Sequence, residues 1–204
     1  MRAHSFVIAS GWAGAILGLP GTVIQYRRVL KDGVEGISLA TWLMFAYMCI
    51  YWIIYGWVVH SLVMSIGSLI VFPIQLLVIS YLSPLSNLKI VLSSGAFIFL
   101  CSWLPAMIWG WSAGLYGTGL AMVANRLPQL NVLIREKHVF GVSAWFWAVL
   151  SLGSLMWVVY YFNEKMIAPL VATGVTGIAN LLIMSLTIWR HHQVEVEDSN
   201  HRDI

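Results

Sequence analysis

Charge is what this chain most lacks. Of its 204 residues, charged side chains make up 9%, against roughly 25% in a soluble domain. Hydrophobic residues make up 60%, and mean hydropathy is +0.83. That leaves too little polar surface to cover a water-soluble globule, and far too much apolar surface for a disordered chain. The net charge of +3 comes from only 11 Lys and Arg, which never gather into a basic face. Nucleic acid is therefore excluded as a partner. Cysteine is also scarce. Cys49 and Cys101 both fall within apolar stretches, read as small packing residues, and say nothing about redox compartment. No Asn-x-Ser/Thr glycosylation acceptor occurs.

What is present is a series of long bare stretches punctuated by charge. They predict seven transmembrane helices, at 5–26, 38–58, 61–82, 90–109, 112–134, 143–162 and 166–189. A helix needs about 20 residues to cross a hydrocarbon core of about 30 Å. The runs are continuous rather than alternating, which favours helices over a barrel. The first run, Phe6 to Tyr26, is longer than a signal-peptide core of about 7–15 residues and reads as a span. With the amino terminus outside, the cytoplasmic side receives Arg27, Arg28, Lys31, Lys89, Arg135, Lys137, Arg190 and Arg202. Only Arg2 and Lys165 then remain outside, so the expected orientation is N-out/C-in. Residues 190–204, acidic and histidine-bearing, read as a disordered cytoplasmic tail.

Two parts of the chain match each other. Gly36, Ser38, Trp42, Trp52 and Tyr55 recur at one constant offset as Gly141, Ser143, Trp147, Trp157 and Tyr160. Upstream, Leu19-Pro20 answers Leu127-Pro128, each followed by a basic turn. The layout expected is 3+1+3: a first triple-helix repeat at 5–82, a linker helix at 88–110 and a second repeat at 111–189. The unmatched linker span returns the chain to its starting side, so the repeats should be parallel.

Leu127-Pro128-Gln129, a short basic loop, Gly141-Val142-Ser143 and the following Trp147 resemble the PQ-loop motif. Leu19-Pro20 to Gly36-Ile37-Ser38, followed by Trp52 to Gly56, is similar to the SWEET and SemiSWEET pattern. The resemblance covers residues 5–189 and implies a SWEET-like membrane transporter, on a superfamily that also holds amino-acid exporters and retrieval receptors. Two departures matter. The first repeat has Pro20-Gly21 where the motif has Pro-Gln, so the two halves should not move as equals. The resemblance also implies a sugar-binding asparagine on each third helix, and the matching positions here are Ser68 and Thr173. Two turns further on, Gln75 and Asn180 share the same helix faces as those hydroxyls.

The individual residues suggest roles. Pro20 and Pro128 lack an N–H, should break or kink their helices, and with Gln129 form a candidate hinge or gate. Trp52 and Trp157 lie deeper than a membrane-interface belt, where an indole face suits the C–H face of a sugar. Trp57, Trp109 and Trp111, and Trp42, Trp145 and Trp189, fit the two belts. Arg126 is the one charge well inside a span. Three roles stay open for it: bonding carbonyls freed by Pro128, snorkelling to the headgroups, or meeting an anionic solute. Asn125 and Asn131 flank it and could share its network.

No Asp or Glu lies within a span, which disfavours proton coupling. Nothing is spaced as a nucleophile, base or metal cluster, so no enzyme, cofactor or metal is expected. The expected function is passive, bidirectional alternating-access uniport of a small neutral solute, a mono- or disaccharide first, through the cell membrane. The solute would be lined by Trp52, Trp157, Ser68, Thr173, Gln75 and Asn180. The alternatives are a carrier of an amino acid or other polar metabolite, and a non-transporting receptor or lipid-handling protein. Besides solute and bilayer, self-association into a homo-oligomer is left open.

Overall fold

The computed structural model describes the backbone of residues 2–136 and 138–202, and the side chains of 6–136 and 138–194. Lys137 and the side chains of Arg2 and Arg202, used in the charge argument, lie outside the described residues. Every regular element among the described residues is helical. In chain order they are α1 (Arg2–Asp32), α2 (Leu39–Val58), α3 (Leu62–Tyr81), a 3-10 turn (Pro84–Asn87) and α4 (Leu88–Ile98). A π turn (Phe99–Trp103) leads to α5 (Leu104–Trp109), followed by α6 (Trp111–Ala124), α7 (Leu127–Arg135), α8 (Ala144–Asn163) and α9 (Ile167–Arg202).

Six stretches are long and apolar enough to cross a bilayer: Phe6–Asp32, Leu39–Val58, Leu62–Tyr81, Pro84–Trp109, Ala144–Asn163 and Ile167–Val194. The chain is an all-helical, multi-pass membrane protein. The expected span 112–134 differs from the other six: it is two helices, α6 and α7, interrupted at Asn125 and Arg126. Pro128 is the cause, since its ring clashes with the carbonyl one turn back and it has no N–H to donate. Pro20 behaves otherwise. It sits on an exposed side of α1, and the helix runs through it unbroken. There is no break at Pro20, and α1 packs along α3 and α8. The segment from 190 begins within α9, which runs on to Arg202. Arg190 anchors its start, donating from Nε to Leu133 O (3.0 Å) and from Nη2 to Ile134 O (2.7 Å). Those are otherwise orphan carbonyls at the end of α7.

In the packing, α3 lies between α1 and α2, and α9 lies between α6 and α8. α1 packs directly along α8, while α4 and the π turn sit between α2 and α6. The helices therefore form a closed ring. Its outside is apolar, with Leu69, Leu92, Leu120, Leu155 and Ile178 exposed, and its inside holds buried Gln25, Asn125, Gln129, Thr176 and Asn180. That is the distribution lipid demands. Apolar side chains cost nothing against acyl tails, whereas polar ones must find partners inside.

Matching positions have matching local structure. Ser38 and Ser143 are both extended N-caps whose Oγ accepts from the N–H three residues on, Thr41 and Phe146, each at 3.3 Å. Such a cap is worth about 1 kcal/mol. His60 and Lys165, the second residues beyond α2 and α8, are both left-handed, with φ of 56°. Around them Ser61 N–H bonds to Gly56 O (2.7 Å), and Met166 N–H to Tyr161 O (3.0 Å). Both turns are Schellman closures.

The helix approaches depend on glycine. Along α1, Gly11 faces Tyr160, Gly14 faces Trp157 and Gly21 faces Val149, all on α8. Small residues let membrane helices come this close. On α6, Gly117 lies directly against the backbone carbonyl of Cys101 in the π turn.

Candidate functional site

The ring encloses a cavity of about 190 Å³. Its wall draws on α1 (Gly14, Gly18), α2 (Trp52), α3 (Met64, Ser68), α6 and the break (Met122, Arg126), α8 (Gly153, Ser154, Trp157, Tyr161) and α9 (Thr173, Thr176, Asn180). Of the residues expected to line a solute path, Trp52, Trp157, Ser68, Thr173 and Asn180 are all brought together here. Gln75 is not among them. It is buried, and its Oε1 accepts from Cys49 Sγ (3.2 Å) on α2.

Aromatic rings close in on the cavity from the side of the α2–α3 and α8–α9 turns. Trp157 stacks on Tyr161 (5.4 Å, 19°) and meets Tyr160 edge-on (5.5 Å, 87°). Trp52 meets Tyr55 edge-on (5.8 Å, 85°). Trp111 is packed against Tyr51 and Tyr55 and is not a simple interface residue. Nor is Trp42. It is buried and stacked on Phe146 (5.3 Å, 26°), because the α2–α8 contact needs its bulk. Trp57, Trp109, Trp145 and Trp189 are exposed, as a belt requires.

Arg126 sits at the α6–α7 break and is 6% exposed, so it does not snorkel. Its own N–H bonds to Val123 O (3.2 Å), which leaves Met122 O free. The guanidinium takes that carbonyl back with Nη1 (3.1 Å). Nη1 also reaches Asn125 Oδ1, and Nε donates to Asn180 Oδ1 (3.1 Å). The Phe45 ring lies 4.8 Å from its Cζ. Asn180 Nδ2 continues the network to Ser154 Oγ (3.4 Å). Asn131 is exposed and takes no part, since it points away from the break on the outer face of α7.

At the opposite end from the tyrosines, two glutamines clamp the ring. Gln129 Nε2 donates to Gly36 O (2.7 Å), and Ser38 N–H donates to Gln129 Oε1 (2.9 Å). Gln25 Nε2 donates to Gly141 O (2.5 Å), and Ser143 N–H donates to Gln25 Oε1 (2.9 Å). Each amide thus satisfies one donor and one acceptor of the Gly-x-Ser loop from the other half of the chain. Both glutamines are 1% exposed. Gly36, at φ +79°, has the Val139 backbone 2.6 Å from where a Cβ would stand, so the loops meet backbone to backbone.

Gln25 was not legible as the partner of Gln129. The match at Pro20-Gly21 places the missing amide at position 21, whereas the structure supplies it one turn later, from an unbroken helix. The one available signal was a glutamine inside an apolar run.

Removing either amide should act at a distance along the chain. Gln129→Ala is expected to speed hydrogen exchange at Ser38 N–H and leave Ser143 protected, and Gln25→Ala to do the converse. Each leaves a buried donor unpaired, at a cost of about 1–3 kcal/mol. Exchange measured by mass spectrometry on peptides spanning the two loops would check the crossing. Equal change at both loops would mean general loosening.

No family model, curated protein or solved structure matches this chain.

Proposed function

We propose that this protein is a passive, bidirectional alternating-access carrier for a small hydroxylated solute of saccharide type, built on the SWEET and PQ-loop plan. In this reading the chain is two parallel triple-helix repeats, 5–82 and 111–189, joined by the linker at 88–110, oriented N-out/C-in in the cell membrane. The carrying observation is a cavity of mixed polar and apolar lining, walled by the equivalent pairs Trp52 with Trp157 and Ser68 with Thr173. The reciprocal glutamines and the paired caps and turns support two halves of one design. The indole faces suit the C–H face of a ring, and the hydroxyls and amide suit its rim.

Gating fits the same layout. The glutamine clamp would seal the cytoplasmic end in one state, and the tyrosines Tyr55, Tyr160 and Tyr161 the outer end in the other. Pro128 lies at a true break and is retained as hinge; Pro20 is not.

The direct test is counterflow. Purified protein in liposomes preloaded with unlabelled solute should accumulate labelled solute transiently, across a panel of sugars and small metabolites. Binding without flux would favour the receptor reading. Uptake at fixed external pH is expected not to change under an imposed pH gradient, since the one carboxylate in the six membrane-length stretches, Asp32, stands at the very end of α1 and is paired with Arg28. Acceleration by that gradient would overturn the passive mechanism.

A further inference from the structure

We propose that the solute carries a carboxylate held by Arg126, so that the cavity takes a small polyhydroxy acid, an aldonic or uronic acid, in place of the neutral sugar first expected. This rests on the carrier reading. Among the described residues of the cavity wall, Arg126 is the one that is charged at neutral pH. All of its protein partners are neutral: two amide oxygens, one backbone carbonyl and the Phe45 ring. Its Nη2 makes no hydrogen bond to the protein among the described residues. No carboxylate touches it there either, and the ion pair found is elsewhere, between Arg28 and Asp32.

A guanidinium in such a place relies on cavity water for the rest of its solvation. A solute entering the cavity displaces that water. A neutral sugar would leave the cation under-solvated, which is costly in a low-dielectric wall. A carboxylate replaces the lost hydration with charge-assisted hydrogen bonds. A second, independent observation points to a hydroxylated ligand. Thr173 lines the cavity and is 3% exposed, and its buried Oγ1 has no hydrogen-bond partner among the described residues. Trp52 and Trp157 then remain for the ring face.

The test compares D-glucuronate with D-glucose, which differ in carrying a carboxylate or a hydroxymethyl group on one skeleton. In wild-type proteoliposomes, glucuronate counterflow should exceed glucose by about tenfold or more, the worth of one charge-assisted contact. A potassium diffusion potential, positive inside, should speed glucuronate influx and leave glucose unaffected, because the acid carries its charge across. Arg126→Gln should bring the two solutes to within about twofold of each other, and Arg126→Lys should keep part of the preference. Quenching of tryptophan fluorescence reports binding separately from flux. Glucose flux equal to or above glucuronate flux in the wild type would overturn the anion site while leaving the carrier. Glucuronate binding without flux of either solute would overturn the carrier and leave the anion site. Neither binding nor flux would overturn both. If Arg126→Gln does not fold, the wild-type comparison and Arg126→Lys still decide.

Discussion

Trp157→Ala is expected to reduce solute flux to the background of empty liposomes while the protein remains helical and monodisperse. The indole is half-buried, one edge set against Gly14 and one face stacked on Tyr161. The Cβ position of Gly14 lies 2.9 Å from Trp157 Cδ1, so α1 and α8 have no side chain between them there except this ring. Truncation removes the apolar plate of the cavity and enlarges it. Core Trp→Ala changes cost about 3–5 kcal/mol, and a half-buried ring should cost less. Loss of function should therefore exceed loss of fold. Trp157→Phe keeps a ring in the groove and should retain measurable flux. Flux measured alongside thermal stability in detergent separates the two effects. Normal transport by Trp157→Ala would remove this residue from the site.

The largest effect on stability is expected at Gly117. A Cβ there would coincide with the carbonyl oxygen of Cys101, with the carbonyl carbon at 2.6 Å and the Cα at 3.4 Å. The obstacle is backbone, and backbone already committed to the π turn Phe99–Trp103. Pro105, four residues after Cys101, has no N–H to occupy that carbonyl. The carbonyl thus points at α6, and only glycine admits it. Over-packing typically costs about 1–3 kcal/mol through side-chain shifts. With no side chain to move, Gly117→Ala should reach or pass the top of that range, lowering the melting temperature by about 10 °C. Gly174→Ala is the matched control, since nothing lies within 4 Å of its added methyl group. A thermal shift assay in detergent showing equal curves for both variants would refute the close approach.

Much of the fold was legible in the chain itself. Runs bare of charge marked six spans that match helices closely, because in lipid a helix must satisfy its own backbone and so declares its length in composition. The structure adds that Ser38 and Ser143, seen in the sequence only as matching motif residues, are both helix N-caps. Pro20 and Pro128 offer the same covalent defect, but only at Pro128 is the helix interrupted, because neighbours decide whether a helix missing one hydrogen bond continues. Trp42 and Trp52 look alike in sequence, yet the first is core and the second lines the cavity. Helical periodicity gives a face and does not say what the face meets.

Composition and spacing alone determined that the solvent is lipid and where six membrane-length helices lie. Those are properties of a stretch of chain against a uniform medium, and they add up residue by residue. Only the tertiary structure decided that Gln25 answers Gln129, that Gln75 turns to Cys49 while Asn180 reaches Arg126, and that a charge without a carboxylate partner borders an open space. Each of these depends on atoms brought within about 3 Å from helices far apart in sequence, and the packing of the whole ring sets that approach.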